Sequence, residues 1–323
     1  MNFKPIDNSG RVDGYALVMS CEKKTSKTSS HYLDIKLQDK TGEISAKSWD
    51  FREGDFCPEP NSIIKIRGVL SEYNGNPQLK IEKMRLPEEG EVNEADFIPT
   101  AEYASKYMMD ELRARVSGFK DNNLRLIVNY ILDKYGDDML GCPAAFKLHH
   151  AIRGGLLMHT LSIVRLCDAV ISLYPSVDGE LLVAGAILHD VCKTDEFNLA
   201  KSGMVSGYSM EGQLLGHLVM GAMEVEKAGK ETGADYETTV LLEHMLISHH
   251  GEPEFGVAVR PCTLEAEILS QLDNLDAKIY EIEDALKNVE PGGFSNKLWA
   301  LNDRKFYNHG RKEVAPKVDF GDN

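Results

Sequence analysis

The chain has 323 residues, 42% of them hydrophobic and 27% charged, and a formal net charge of −15 at pH 7. That length exceeds the usual size of one hydrophobic core, so two domains are the default. No apolar run reads as membrane-spanning, Leu181–Leu188 being too short, and the acidic excess excludes a generally basic nucleic-acid coat.

The charge is unevenly spread. Residues 1–87 hold 14 Lys and Arg against 12 Asp and Glu, net +2, and the remainder holds 22 against 39, net −17. Two modules with two jobs are expected. The start, Met1-Asn2-Phe3-Lys4-Pro5, lacks the apolar region of a signal peptide, and the six cysteines are scattered without a Cys-x-x-Cys pair. Both features predict a cytoplasmic protein with reduced thiols.

Residues 1–87 read as strands. Tyr15–Ser20 is a short apolar-rich run. In His31–Gln38, Tyr32, Asp34, Lys36 and Gln38 alternate with Leu33, Ile35 and Leu37. Asp39-Lys40-Thr41-Gly42 is a turn, and Glu43–Trp49 runs back as the second arm of a hairpin. A longer loop leads to Ser62–Leu70, and Asn74-Gly75-Asn76-Pro77 turns the chain into Gln78–Met84. Five short strands suit a small all-β barrel of the OB-fold type, with an SH3-like barrel as the alternative. Tyr32, Trp49, Phe51 and Tyr73 are the aromatics available to stack bases. Tyr32 alternates away from Leu33 and Ile35, and Tyr73 abuts a polar hairpin tip, which favours these two. Lys23, Lys24 and Lys27 form a basic run, predicted to be a loop, that can meet a phosphate backbone.

Residues 88–100 are expected to be a charged linker, after which the pattern takes a helical period. Amphipathic helices are predicted over Ala101–Val116, Asn123–Tyr135, Gly154–Leu173, Glu180–Lys193, Gly212–Ala228 and Tyr236–Ser248. A last one, capped by Thr263, runs to about Asn288 with Leu264, Ile268, Leu272, Leu275, Ile279 and Ile282 as its apolar stripe. Residues 101–310 therefore read as an all-α bundle, with 311–323 as a tail.

Eight of the ten histidines fall between His149 and His250, several inside apolar runs: Leu157-Met158-His159, Ile187-Leu188-His189-Asp190 and Leu215-Gly216-His217. Imidazole and carboxylate on buried helix faces must be paired or must coordinate something. His159, His189-Asp190, His217, His249-His250 and Asp273 stand at intervals of 30, 27, 32 and 23 residues, each about one helix and a loop. A bundle can bring them to one point. Seven ligand groups exceed the need of one ion, and Asp190 has two oxygens with which to bridge a pair. Two-metal sites of this kind suit phosphoester hydrolysis. Lys193, three residues after Asp190, is placed on the same helix face, where it can neutralise phosphate charge. Arg260 can contact a phosphate or pair with Glu252 or Glu254. Asp276 can orient a ligand or lie exposed. His149 and His150 stay outside the metal set, and His244 reads as structural.

The pattern His…His-Asp…Asp on helices resembles the HD-domain metal-dependent phosphohydrolases. Gly154–Thr160, His189-Asp190-Val191-Cys192-Lys193, Leu215-Gly216-His217, Ser248-His249-His250-Gly251 and Leu272–Lys278, behind an OB-like barrel, are similar to the YhaM-type 3′→5′ exoribonucleases. The likeness runs from about Gly14 to about Asp303, with Met158 a departure where that family has an acidic residue. It implies one ion held by His159, His189, Asp190 and Asp273, and a second held by Asp190, His217, His249 and His250. It also implies Mn2+, or Co2+, Fe2+ or a similar transition metal, as cofactor. The implied activity is hydrolysis of single-stranded RNA, with single-stranded DNA as a further substrate; the oligomeric state stays open at this point, a homo-oligomer being one option. The competing readings are an HD phosphohydrolase of free nucleotides or cyclic dinucleotides, and a nucleic-acid-binding protein with a structural metal site. The barrel argues against the first and Lys193 against the second.

Overall fold

A computed structural model describes residues 10–311 apart from 27–28, 40–41, 50, 61, 74–75, 93–96, 98–99, 147–151, 201–202 and 288. The chain first forms five strands: β1 (Arg11–Thr25), β2 (His31–Asp39), β3 (Gly42–Ser48), β4 (Ile63–Tyr73) and β5 (Asn76–Arg85). They close into a barrel of order β1-β2-β3-β5-β4, in which β3 and β5 run parallel. The OB-type expectation holds, with one correction. β1 is not a short run but a 15-residue strand that pairs with β4 through Arg11–Leu17 and with β2 through Leu17–Thr25. One strand shared by two neighbours is what closes the barrel. Its polar end, including Lys23 and Lys24, is therefore strand rather than loop, and Lys27 lies outside the described residues. Alternation packs Val12, Ala16, Val18, Leu33, Ile35, Leu37, Ile64, Ile66 and Leu79 inside.

The linker does not hang free of the barrel. Glu91 accepts from Arg85 at 2.7 Å and from Lys65 Nζ at 2.8 Å. Phe97 is buried against Leu17 and Ile63, edge-on to Tyr15.

The helices are α1 (Ser105–Ser117), α2 (Asn122–Met139), α3 (Gly155–Leu173), α4 (Gly179–Leu188), α5 (Lys193–Glu196), α6 (Met210–Leu214), α7 (Gly216–Thr232), α8 (Tyr236–Ser248) and α9 (Leu264–Leu286). The bundle is not purely α: β6 (Phe197–Leu199) and β7 (Val205–Tyr208) form a hairpin after α5. Side-chain caps start the helices where the sequence offers them. Asp121, Asp178, Ser209, Asp235 and Thr263 each accept from a first-turn N–H.

Two predicted helices are broken. Glu180–Lys193 ends as α at Leu188. From there the backbone tightens to three-residue bonds, Val191 N–H to Leu188 O and Lys193 N–H to Asp190 O, before α5 begins. Gly212–Ala228 is divided at Leu215 between α6 and α7. α3 is long and apolar enough to cross a membrane by composition, against the expectation. It is a core helix instead, carrying buried His159 and ion pairs from Arg165 to Glu111 and from Asp168 to Arg115.

Candidate metal centre

The bundle gathers the predicted ligands from five places. His159 stands in α3, His189 and Asp190 in the tight turn after α4, and His217 in the first turn of α7. His249 and His250 follow the last turn of α8, and Asp273 lies within α9. His159, His189, Asp190, His217 and His249 are all buried.

The two oxygens of Asp190 face different groups. Oδ2 lies 3.6 Å from His159 Nε2 and 3.2 Å from His189 Nε2, and Asp273 Oδ1 is 3.1 Å from His159 Nε2. Oδ1 lies 3.2 Å from His217 Nε2 and 3.7 Å from His249 Nε2. His217, His249 and His250 cluster on that side, and His159, His189 and Asp190 on the other, each as a set able to hold an ion.

Every one of the five imidazoles is tied at Nδ1. His189, His249 and His250 donate to the carbonyls of Ala186, Leu246 and Phe255 at 2.8, 2.8 and 3.1 Å. His159 donates to Asp276 Oδ2 at 2.7 Å, and His217 to the Glu196 carboxylate at 3.1 Å. An imidazole that donates from Nδ1 presents a lone pair at Nε2 when neutral, the form that ligates metal.

Three of the inward atoms, Asp190 Oδ1, His217 Nε2 and His249 Nε2, are buried without a hydrogen-bond partner. Three orphaned acceptors turned toward one another are costly in a protein interior and would be satisfied by a cation. Without a cation the rings differ: His159 holds a proton that a cation would displace, and His249 does not. Burial lowers His159, but Asp273 and Asp276 outweigh it and raise the group to about 9. Burial and then His250 depress His249 to about 3, which keeps it neutral and able to donate its lone pair. Burial opposes ionisation of Asp190, but His189 and Lys193 hold it well below the usual carboxylate range. The residues fit divalent-cation binding, with Asp190 offering one oxygen toward each donor group.

Lys193 is buried, with Nζ 2.6 Å from Asp190 Oδ2. It reaches the site from the start of α5, not along a continued α4 face as predicted. Sequence reasoning missed Glu196, one turn further on. This buried carboxylate accepts from both the backbone N–H and Nδ1 of His217. Gly212 makes room for it, and Gly216 sets the turn into α7. A Cβ on Gly212 would lie 2.4 Å from Glu196 O, and Gly216 has φ 72°, the left-handed region that brings His217 into the first turn.

The proposed nucleic-acid contacts are more scattered. Tyr32 stacks on Trp49 with ring centroids 4.7 Å apart, and Lys47 Nζ lies 5.1 and 5.4 Å from the two rings. Trp49 is 40% exposed. Phe51, by contrast, packs against the barrel core under Lys23. Lys24 pairs with Asp34 at 2.7 Å and with Glu22 at 3.1 Å. Arg260 turns to Glu252 at 2.8 Å, the alternative to a phosphate contact. His244 accepts from the Cys262 N–H, a structural role as expected. The Tyr73 side chain, His149 and His150 lie outside what the structure describes.

Residues 148–278 match the HD domain family, and residues 15–87 match a family of OB-fold nucleic acid binding domains. The chain is 41% identical over 300 residues to the 3′-5′ exoribonuclease YhaM of Geobacillus sp. (strain WCH70), covering 92% of this chain and 91% of that protein. It is 38% identical over 300 residues to the 3′-5′ exoribonuclease YhaM of Bacillus subtilis (strain 168), covering 92% and 94%. It is 40% identical over 304 residues to the YhaM of Listeria welshimeri, covering 92% and 95%.

Proposed function

The chain belongs to the family of YhaM 3′-5′ exoribonucleases, and from that premise we propose that it hydrolyses single-stranded RNA from the 3′ end to nucleoside 5′-monophosphates. Single-stranded DNA is a second substrate in this reading. The observation that carries it is the division of Asp190, whose two oxygens face two separate groups of imidazole Nε2 atoms. His159, His189, Asp190 and Asp273 would hold one divalent cation, and Asp190, His217, His249 and His250 the other. An imidazole-rich donor set favours a transition ion over magnesium, and we propose Mn2+, with Co2+ or Fe2+ as substitutes. When bound, the pair supplies Lewis-acid stabilisation of charge on the phosphate and activates water at neutral pH.

The protein's own groups do the rest. The Nδ1 bonds hold the five rings in one orientation, so the donor set is formed before the substrate arrives. Lys193 has Asp190 as its anion. Once that carboxylate is shared with cations, the buried ammonium needs a new anion, and the scissile phosphate is the one the substrate brings. The barrel supplies capture. Tyr32 and Trp49 offer an outward stacking surface, and Lys47 adds positive charge beside it. A cytoplasmic location belongs to the same proposal and is supported by six free thiols. So does self-association, supported by the exposed apolar row Met210, Leu214, Leu215, Val219 and Met223 along α6 and α7.

The test uses RNA and DNA single strands labelled at the 5′ end, incubated with the purified protein with and without manganese. A ladder shortened from the 3′ end, together with released 5′-monophosphates, is expected. Internal cuts, or full activity in excess chelator, would sink the reading.

A further inference from the structure

We infer that Cys21 and Cys57 form a reversible intramolecular disulfide, an oxidisable site on the barrel distinct from the metal centre. Cys21 lies on β1, opposite Ile35 of β2, and packs half-buried against the barrel core. Cys57 is exposed in the segment 51–60 between β3 and β4. Their Sγ atoms are 3.8 Å apart although 36 residues separate them in sequence. The remaining cysteines have different surroundings: Cys142, Cys167 and Cys192 are buried, and exposed Cys262 donates its thiol to the Arg260 carbonyl.

A disulfide requires an S–S distance of about 2.0 Å, so the sulfurs must approach by less than the length of a side chain. The segment carrying Cys57 is anchored on both sides. The Phe51 N–H donates to His31 O, and Pro58 is buried. Between these anchors Cys57 stays exposed, and the Arg52 N–H bonds only locally, to Asp55. Segment and strand are thus held close while the loop can still adjust.

The two thiols have unequal roles. Burial, then the contact with Cys57, pushes the Cys21 thiol up to about 12, so Cys21 resolves rather than initiates. Exposed Cys57 meets the oxidant first. With oxidised glutathione, the Cys57 thiolate attacks one sulfur, the glutathione S–S bond breaks, and one glutathione thiolate leaves. The Cys21 thiolate then attacks the Cys57 sulfur of the mixed disulfide and expels the second. Two protein thiols are oxidised, one small disulfide is reduced to two thiols, and the two protons go to the released glutathione. The loop so closed, residues 21–57, contains all of β2 and β3 and therefore the Tyr32–Lys47–Trp49 surface. The cross-link restrains the hairpin that presents it.

The full-length protein is equilibrated in glutathione buffers of increasing oxidation, alkylated and digested with trypsin. The expected product is the peptide beginning at Val12 and carrying Cys21, joined to the peptide beginning at Glu53 and carrying Cys57. It should vanish on adding dithiothreitol and be absent in Cys57→Ser and Cys21→Ser. Exposed Cys57→Ser serves as the folding control, with an unchanged circular dichroism spectrum. Glutathione retained on Cys57 beside a still-alkylatable Cys21 would overturn the inference. So would linkage of either residue to any of the other four cysteines.

Discussion

Asp190 and the groups behind the imidazoles carry the sharpest residue-level expectations. Asp190 touches both donor groups, so Asp190→Ala should lose both cations, read as metal content per chain by elemental analysis. A variant that keeps two ions and full hydrolysis would refute the bridge. Glu196→Gln keeps the volume but weakens the acceptor on His217 Nδ1. It should reduce affinity for one cation by about 10–100-fold, seen in a competitive chelator titration, while the other ion remains. Loss of both, or of neither, would contradict the assignment. Lys193→Ala should retain both metals and lower kcat about 10²-fold, as for loss of one electrostatic stabiliser. An unchanged kcat in the metal-replete enzyme would leave phosphate neutralisation to the ions. The convergence of these side chains was legible because histidine inside an apolar run must be paired or must coordinate something. Glu196 was not, since a glutamate beyond a lysine on a short helix reads as solvated. Asp276 was left open between ligand orientation and exposure, and its bond to His159 resolves that in favour of orientation.

Among the elements, strand and helix identities followed from period 2 and period 3.6, but the places where helices stop did not. α4 ends at Leu188 although Val191 and Cys192 continue to be buried, so the apolar pattern runs through a change in backbone bonding. The apolar stripe expected along α9 holds only in part, at Ile268 and Leu272, which meet the core. Ala266, Leu269 and Leu272 are buried, whereas Leu264 is exposed at the helix start and Leu275 and Ile279 are exposed beyond Leu272, the last buried residue of the helix. Periodicity reports a face, not what lies opposite it. The close approach of α6 to α5 gives an element-level test. Gly212→Ala places a methyl 2.4 Å from the Glu196 carbonyl, so backbone must move. A destabilisation of about 1–3 kcal/mol is expected in urea unfolding, together with weaker metal retention. Unaltered stability and metal content would show that α6 shifts without disturbing Glu196.

For the whole molecule, the division between a +2 barrel and a −17 remainder predicts separable defects. Replacing Tyr32 and Trp49 together by alanine should weaken binding of single-stranded RNA by about 1–3 kcal/mol per base no longer stacked. Cleavage of a small chromogenic phosphodiester should be untouched, since that substrate is too short to need the barrel. Equal losses on both substrates would point to a folding role for the aromatic pair instead.

The acidic bundle raises a question that the carboxylates of the metal centre answer. Asp190, Asp273, Asp276 and Glu196 surround the rings, with Lys193 as the cation among them. With His159 protonated in the absence of metal this set carries −2, and on the two-cation reading, with the rings neutral, it would carry +1. On that reading metal loading would reverse the sign of the pocket: depleted protein would repel the phosphate that loaded protein attracts. Metal supply would then govern whether a strand already captured by the barrel can bring its end into the bundle at all, not only how fast it is cut there.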